Sequence, residues 1–511
     1  MDEVKDKPVV GFKLVIGYLG ILLMILGVII LLPMLTFLAY PEEAADNWYA
    51  FFGPGMGFII IGFLLFLFIF KKEKGRLAKY EDTILVLLTW SFIYLGGAIP
   101  LLFLKEFNFD YTKALFEATS GFTTTGFSAI ANYEAVPKVF FIYRSLTHFV
   151  GGVGLVLILT SAISDRHNMR LYTADGHNDR LLPNIVKSAR IIFSIYISYI
   201  IIGSLCLFAV GYNDGMTYFE AFNYSISCVS TGGLGLTANS IGTYNNVGIE
   251  IITSLLMLLG ATSFLVNLYL IKGKYKKVFL HSETKMMIAF LVILIPISTL
   301  LVANYNYFQN PTVSYSDIFR VTAYTMVSSI TTTGVSNASI VDARGIATLG
   351  TPFLALIGIL VAIGTEAGST GGGIKMNRTI CVIKGIWFAF VDGLANKRRI
   401  KTHYIYKYDQ KEVFEHSSFI AAVTFTMIYF ALIFIFAMTF AMISKASFGY
   451  CTFDAIQSLS NSGLSIGLLG PTSSGGMMIT STIAMMLGRV EILPVLIIPL
   501  YIVKKIQRKA F

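Results

Sequence analysis

Charged side chains are scarce in this chain: they make up 13% of its 511 residues, against 55% that are apolar. Soluble domains carry about 25% charge, so a soluble surface of this size is excluded. Cysteine is also rare. The four, Cys206, Cys228, Cys381 and Cys451, show no paired spacing, which argues against a disulfide framework or a thiolate metal site. They are expected to be small buried side chains. The six histidines are scattered and give no metal motif. There is no catalytic triad, metal cluster or nucleotide loop to indicate an enzyme. No helix carries Arg or Lys at every third position, which excludes a voltage sensor. Stretches outside the apolar runs do not exceed about 40 residues, too short for an independent regulatory domain.

The charge that is present is mostly positive, with a net value of +10. Its placement argues against nucleic acid. Segments 1–13, 71–79, 164–190, 272–285, 375–411 and 504–511 hold 31 of the 39 Lys and Arg. They alternate with loops poor in both, such as 41–47 and the stretch around Asp214. That alternation is the positive-inside pattern, so the six basic segments are expected on the cytoplasmic side together with both termini. Residues 14–40 carry no charge and are too long for a signal-peptide core, so they read as a retained spanning helix. With 48–70 they form an expected hairpin.

A different unit then recurs four times. An apolar helix goes out, a Thr/Ser/Gly-rich segment follows, and a second apolar helix returns. Unit A covers about 80–163, with helices near 83–104 and 139–163; unit B about 189–272; unit C about 283–390; unit D about 415–505. The middle segments are too short and polar to span, yet each begins as a helix, with Glu117, Glu220, Asp317 and Asp454 suiting a helix N-terminus. Irregular backbone at membrane depth is tolerated only where it is buried in protein or lines a water-filled cavity. The expected fold is therefore an all-α polytopic membrane protein: four helix–re-entrant pore loop–helix repeats around one pore, plus an N-terminal helical hairpin. The division is 1–79 for the hairpin, then 80–188, 189–282, 283–414 and 415–511 for the repeats.

The four middle segments share a pattern. They read Thr123-Thr124-Thr125-Gly126, Ser230-Thr231-Gly232-Gly233, Thr331-Thr332-Thr333-Gly334 and Ser460-Asn461-Ser462-Gly463. A dehydrated cation needs oxygens in place of its water, and backbone carbonyls can supply them. Glycine lets a carbonyl adopt dihedrals other residues avoid, and Thr or Ser adds hydroxyl oxygens. None of the four contains a carboxylate, which excludes an Asp/Glu ring. One such cluster could be a helix-packing surface. Four at equivalent places favour a filter.

These segments, together with His148-Phe149-Val150-Gly151-Gly152-Val153-Gly154, Ala367-Gly368-Ser369-Thr370-Gly371-Gly372-Gly373-Ile374-Lys375 and Gly488-Arg489-Val490-Glu491, resemble the TrkH-type subunit of the Trk/Ktr/HKT superfamily of potassium transporters. The resemblance covers nearly the whole chain. It implies K⁺ as the ion, with ligands at Thr124, Thr125, Thr231, Gly232, Thr332, Thr333, Asn461 and Ser462, and no organic cofactor. Glycine at Gly126 implies K⁺, since serine there marks some sodium-preferring relatives. It also implies a homodimer in the bacterial inner membrane, in contact with lipid and with a cytoplasmic RCK-type nucleotide-binding regulatory subunit of the TrkA kind; no nucleic-acid partner is indicated. The alternative is a secondary transporter coupling K⁺ to Na⁺ or H⁺, but inverted repeats are its usual mark and these repeats run parallel.

Unit C's return helix, expected from about Ile346, is interrupted by residues 364–373. So many glycines cost about 1 kcal/mol each relative to Ala within a helix. A phosphate-binding loop fails on register, because Ile374 stands where Lys is needed and Lys375 where Ser or Thr is. In the family resembled, this loop lies beneath the filter and gates it, so Glu366, Gly368, Ser369, Thr370, Gly371, Gly372, Gly373, Lys375 and Arg489 are the expected gate. Glu366 departs from the family's usual small or uncharged residue. Arg489, mid-way along an apolar stretch, is costly there and expected to be functional. A salt bridge between the two would offset both costs and latch the loop to the last helix; Glu491, two residues from Arg489, does not face it. Arg144 and His148 are expected to be structural.

Overall fold

The computed structural model describes residues 11–69, 81–154, 185–307, 314–340, 345–394, 402–407 and 410–490. The chain is mostly helical. Among the described residues, six helices are long and apolar enough to cross a membrane: Phe12–Leu38, Pro41–Phe66, Thr83–Phe103, Lys187–Asp214, Ser282–Tyr305 and His416–Ser444.

The first two form the N-terminal hairpin. It is held by glycines seven apart on each helix, Gly20 and Gly27 facing Gly55 and Gly62. A Cβ on Gly20 would stand 2.5 Å from the Gly62 carbonyl oxygen, and one on Gly62 equally close to that of Gly20. Small residues let two backbones approach where lipid gives helices no hydrophobic drive to associate.

Each of the four following long helices leads into a shorter one: Tyr111–Phe122, Tyr218–Val229, Tyr315–Ile330 and Phe448–Leu459. Three of these have 12 residues and one has 16. At 1.5 Å per residue they reach only about 18–24 Å, short of a hydrocarbon core of about 30 Å. Three of their starts are capped by a side chain. Asp110 accepts from the Lys113 amide at 2.9 Å, Thr217 and Glu220 form a reciprocal capping box, and Ser314 accepts from Ser316. Glu220 and Asp317 lie in first turns as expected. Glu117 and Asp454 do not: they are mid-helix and buried.

The return helices differ from one another. In unit A, Lys138–Val153 ends at Gly154, which has φ of 87°; the rest of the expected 139–163 helix lies outside the described residues. Unit B was expected to return as one helix. It breaks instead, with Val247–Ala261 and Phe264–Ile271 at 118°. Unit C returns as Thr351–Ile363, starting later than expected after a 3₁₀ turn at Gly345–Leu349, and resumes as Met376–Gly393 beyond the glycine-rich interruption. In unit D, Gly475–Arg489 places Arg489 in its last helical turn; Glu491 lies outside the described residues.

Two further departures are small. Strands Tyr404–Lys407 and Gln410–Val413 pair antiparallel at the end of the basic segment 375–411, a departure from an all-α fold. Cys206 is exposed on its helix, while Cys228, Cys381 and Cys451 are buried.

Three apolar clusters link the units. One runs from the hairpin through units A and B. A second joins Phe116 and Phe127 of unit A to Phe425, Tyr429 and Met485 of unit D. A third joins unit C to Phe453 and Leu464 of unit D. The order of packing is thus cyclic.

The hairpin gives a direct test. Gly62→Leu forces the helices apart and should cost about 1–3 kcal/mol, the usual range for overpacking. Gly53→Leu, where an added Cβ meets nothing within 4 Å, should leave melting in detergent unchanged. Equal melting temperatures for the two variants would reject glycine-mediated packing.

Candidate functional site

The four Thr/Ser/Gly segments follow the short helices and correspond residue by residue when set on Gly126, Gly233, Gly334 and Gly463. The helix ends, Thr123, Ser230, Thr331 and Ser460, have φ between −82° and −87° with ψ near zero. The next residues are all left-handed, with φ of 56° at Thr124, 51° at Thr231, 48° at Thr332 and 54° at Asn461. Three of them are β-branched, for which a positive φ is a genuine outlier. The amides of Thr125, Gly232, Thr333 and Ser462 then turn back to the carbonyls of Ser120, Ser227, Ser328 and Gln457 at 2.9, 2.7, 2.9 and 3.1 Å. With these donors engaged, the carbonyl oxygens are the groups left free.

Those carbonyls close a ring. A Cβ on Gly126 would meet the Gly232 oxygen at 2.7 Å, one on Gly233 the Thr333 oxygen at 2.0 Å, one on Gly334 the Ser462 oxygen at 1.7 Å, and one on Gly463 the Thr125 oxygen at 1.9 Å. The sequence A to B to C to D and back to A is complete. All four glycines have φ between 74° and 98°, a region L side chains rarely adopt. In unit B the structure selects Gly233 as the ring glycine, and Gly232 takes the place of Thr125.

Side chains fit this frame differently in each unit. The hydroxyls of Thr123 and Thr125 bond at 2.7 Å, and those of Thr331 and Thr333 at 2.8 Å. Ser230 donates to Ile226, and Ser460 pairs with the Tyr429 hydroxyl at 2.7 Å. Asn461 donates to the Thr125 hydroxyl at 3.1 Å and the Met485 carbonyl at 3.0 Å. At Gly232 the missing side-chain volume is filled by His148, whose Nδ1 lies 2.2 Å from where a Cβ would be. His148 therefore bears directly on a ring segment, a role its sequence position did not disclose.

Residues 364–375 lie against this ring. The Gly372 amide donates to the Thr332 hydroxyl at 2.9 Å, and Thr370 and Thr231 bond through their hydroxyls at 3.0 Å. Gly372 approaches unit D so closely that a Cβ would stand 2.0 Å from the Ser460 carbonyl. The loop is also docked into the break in unit B's return helix. Thr370 donates from its amide and hydroxyl to Gly260 at 3.3 and 3.0 Å, Glu366 donates from its amide to Ala261 at 3.3 Å, and Phe264 donates to Gly368 at 3.0 Å. Ser369 bonds within the loop to Thr365. Lys375 donates to the Gly371 carbonyl and to the Thr365 hydroxyl. Gly373 packs against Gly364, where the helix ends.

The expected latch between Arg489 and Glu366 is not formed. Glu366 is fully buried, and its carboxylate accepts from the Ser263 amide at 2.8 Å and the Thr284 hydroxyl at 2.6 Å. It caps the helix Phe264–Ile271, where an anion is favoured. Arg489 instead donates to the carbonyls of Thr370, at 3.2 Å, and Gly151. Arg489 does hold the loop, through backbone rather than through Glu366. Arg144 is structural as expected: it lies 3.5 Å from Glu117 and donates to Gly235.

Sequence reading also missed three equivalent glycines on the return helices. Added Cβ atoms on Gly151, Gly260 and Gly488 would stand 2.3, 2.3 and 2.1 Å from the carbonyls of Phe122, Val229 and Leu459, the last residues of the short helices. Gly151 and Gly488 stood inside quoted motifs without this meaning.

Comparison with known proteins follows the same lines. An uncharacterized cation transporter of Methanocaldococcus jannaschii is 28% identical over 493 residues, covering 95% of this chain and 94% of that protein. The Trk system potassium uptake protein TrkH of Escherichia coli is 28% identical over 380 residues, covering 73% and 75%. The crystal structure of the potassium transporter TrkH from Vibrio parahaemolyticus matches with a TM-score of 0.80 at 23% identity, over 95% of this chain and 98% of that one, so the fold is shared. The profile of the TrkH family, described as a cation transport protein, matches residues 49–505, and the chain belongs to that family.

Proposed function

We propose that this chain is a K⁺ uptake protein that conducts through a pore built from its four repeats, with the ring as selectivity filter and residues 364–375 as gate. The observation that carries this reading is the closed ring of glycines and carbonyls described above. In it the oxygens of Thr124, Thr125, Thr231, Gly232, Thr332, Thr333, Asn461 and Ser462 replace the water of a dehydrated cation. The short helices end at the ring, and their C-termini carry partial negative charge that favours a cation there. Their length and their packing inside the protein support a re-entrant reading. The five-part division of the chain, 1–79, 80–188, 189–282, 283–414 and 415–511, follows from it.

The gate assignment is supported by the loop's bonds to Thr332 and Thr231. Arg489 adds a fixed positive charge at the same level. The names of the curated relatives support K⁺ as the cargo. We further read the chain as a homodimer of the bacterial inner membrane, with both termini cytoplasmic and an RCK-type nucleotide-binding subunit acting on the gate.

Purified protein in proteoliposomes tests the filter. Wild type should carry Rb⁺ well and Na⁺ poorly without an imposed Na⁺ or H⁺ gradient; a strict requirement for either gradient would favour coupled transport. Gly126→Ser and Gly334→Ser should both weaken Rb⁺ over Na⁺ preference. Gly334→Ser should be the more severe, because its Cβ would lie 1.7 Å rather than 2.7 Å from the neighbouring carbonyl. Unchanged relative fluxes in both would remove the filter assignment.

The gate is tested separately. Deleting two of Gly371, Gly372 and Gly373 should raise basal flux and reduce dependence on the regulator. Arg489→Gln should act in the same direction, by about tenfold or more, given about 1.5–3 kcal/mol for hydrogen bonds to a charged group. Wild-type flux from both variants, with normal melting, would count against gating.

A further inference from the structure

The ring is narrow, and the turns that leave it must be held from outside. The residue nine before each ring glycine is Glu117, Tyr224, Thr325 or Asp454, and the residue three after it is Ala129, Leu236, Asn337 or Ile466. In unit A, Glu117 accepts from the Ala129 amide at 2.7 Å and from the Ser128 hydroxyl at 3.2 Å. In unit B, the Tyr224 hydroxyl accepts from the Leu236 amide at 3.3 Å. In unit D, Asp454 stands at the same position with its carboxylate buried and not hydrogen-bonded to the outer turn. These side chains are buried. Unit C differs, since Thr325 makes no such bond. There Asn337 donates to Glu250 of unit B at 2.9 Å, and Glu250 pairs with Arg320 at 2.7 Å.

Two of these supports cross between units. Arg144 joins Glu117 to Gly235, so the outer turns of A and B share one buried pair. Glu250 joins the return helix of B to the outer turn of C. Ser120 and Ser227 add a second hold, donating to the carbonyls of Phe127 and Leu234 at 2.6 and 3.1 Å. The belt thus fixes backbone immediately outside the ring while touching none of the ring carbonyls.

We propose that Glu117, Tyr224 and Glu250 are positioning residues for the filter, and that discrimination between K⁺ and Na⁺ depends on the outer turns they hold. This rests on the reading of the ring as a selectivity filter. The physical reason is that selection by carbonyls requires the oxygens to resist closing around the smaller ion. A ring segment anchored at one end only, by its helix, can yield to a smaller ion; one anchored at both ends cannot.

The deciding variant is Tyr224→Phe, which removes one oxygen atom and leaves the ring in place. Glu117→Gln and Glu250→Gln extend it, though breaking a buried charge pair can prevent folding. Tyr143→Phe is the control: its hydroxyl is also buried and donates to Gly97 at 2.6 Å, away from the outer turns. Rb⁺ and Na⁺ fluxes and melting temperature are measured for each in proteoliposomes. Tyr224→Phe should lower the Rb⁺/Na⁺ flux ratio by about two- to tenfold, the range expected for one lost hydrogen bond, with Rb⁺ flux retained. Tyr143→Phe should lower the melting temperature and leave the ratio unchanged. If Tyr224→Phe keeps the wild-type ratio, or Tyr143→Phe shifts it as much, the belt is only structural and the proposal falls. If wild type itself does not favour Rb⁺, the filter reading fails first and takes this one with it.

Discussion

Inside a bilayer, a backbone amide or carbonyl that leaves its helix must find a partner in the protein. The centre of this molecule is organised by that constraint. Among the described residues, two return helices are broken, one at Thr262 and Ser263 and the other at 364–375, and each break supplies what the other lacks. The end of the first half-helix in unit B offers the carbonyls of Gly260 and Ala261, which Thr370 and Glu366 fill from their amides. The start of the second half offers the amides of Ser263 and Phe264, which the Glu366 carboxylate and the Gly368 carbonyl fill. Neither break could stand alone at that depth, and together they leave few orphans. Glu366 is explained by this geometry: it is a helix cap supplied from another repeat.

The ring obeys the same accounting on a smaller scale. Sending the amides of Thr125, Gly232, Thr333 and Ser462 back to the short helices satisfies the donors and leaves the oxygens facing the neighbouring segment. That turn requires a left-handed residue before it. Units A, B and C place threonine there and unit D asparagine. Strain of this kind costs about 1–3 kcal/mol per residue and persists only where the surroundings over-determine it. Here four turns enforce one another, since each glycine lies against the next carbonyl. Identity varies where space allows, as at Gly232, whose missing side chain is replaced by the His148 ring.

Much of this was legible beforehand because it rests on local chemistry. Apolar length marks the long helices able to span a membrane. Short helices ending in a run of small, mostly hydroxyl-bearing residues and a glycine mark the four turns, since glycine and a terminated helix are local facts. The glycine run at 364–373 declared a break for the same reason. What was not legible depends on which repeat stands beside which. Nothing in Leu259-Gly260-Ala261-Thr262-Ser263 is as poor a helix former as 364–373, so the 118° bend there came unannounced. Its cause is tertiary, the docking of a loop some hundred residues later. Glu117 and Asp454 looked like helix-start acids because their helix boundaries were unknown. Arg489 and Glu366 looked like partners because charge was the visible property, whereas Glu366 bonds to the Ser263 amide and the Thr284 hydroxyl and Arg489 to the carbonyls of Thr370 and Gly151.

Arg489 shows how the parts combine. Its guanidinium spans two carbonyls, Thr370 in the loop of unit C and Gly151 on the return helix of unit A. Gly151 itself packs on the last carbonyl of unit A's short helix, and Gly488, one residue before Arg489, does the same in unit D. One side chain therefore links the loop to two ring segments. A symmetric assembly of four identical subunits would have to carry such a loop and such an arginine in every repeat, crowding the axis fourfold. Four unlike repeats in a single chain permit one loop from unit C, held from unit D by one arginine and seated in the break of unit B's return helix. The near-symmetry belongs to the ring, where each unit's glycine lies against a carbonyl of the next, and the asymmetry to the layer beside it, which holds one loop.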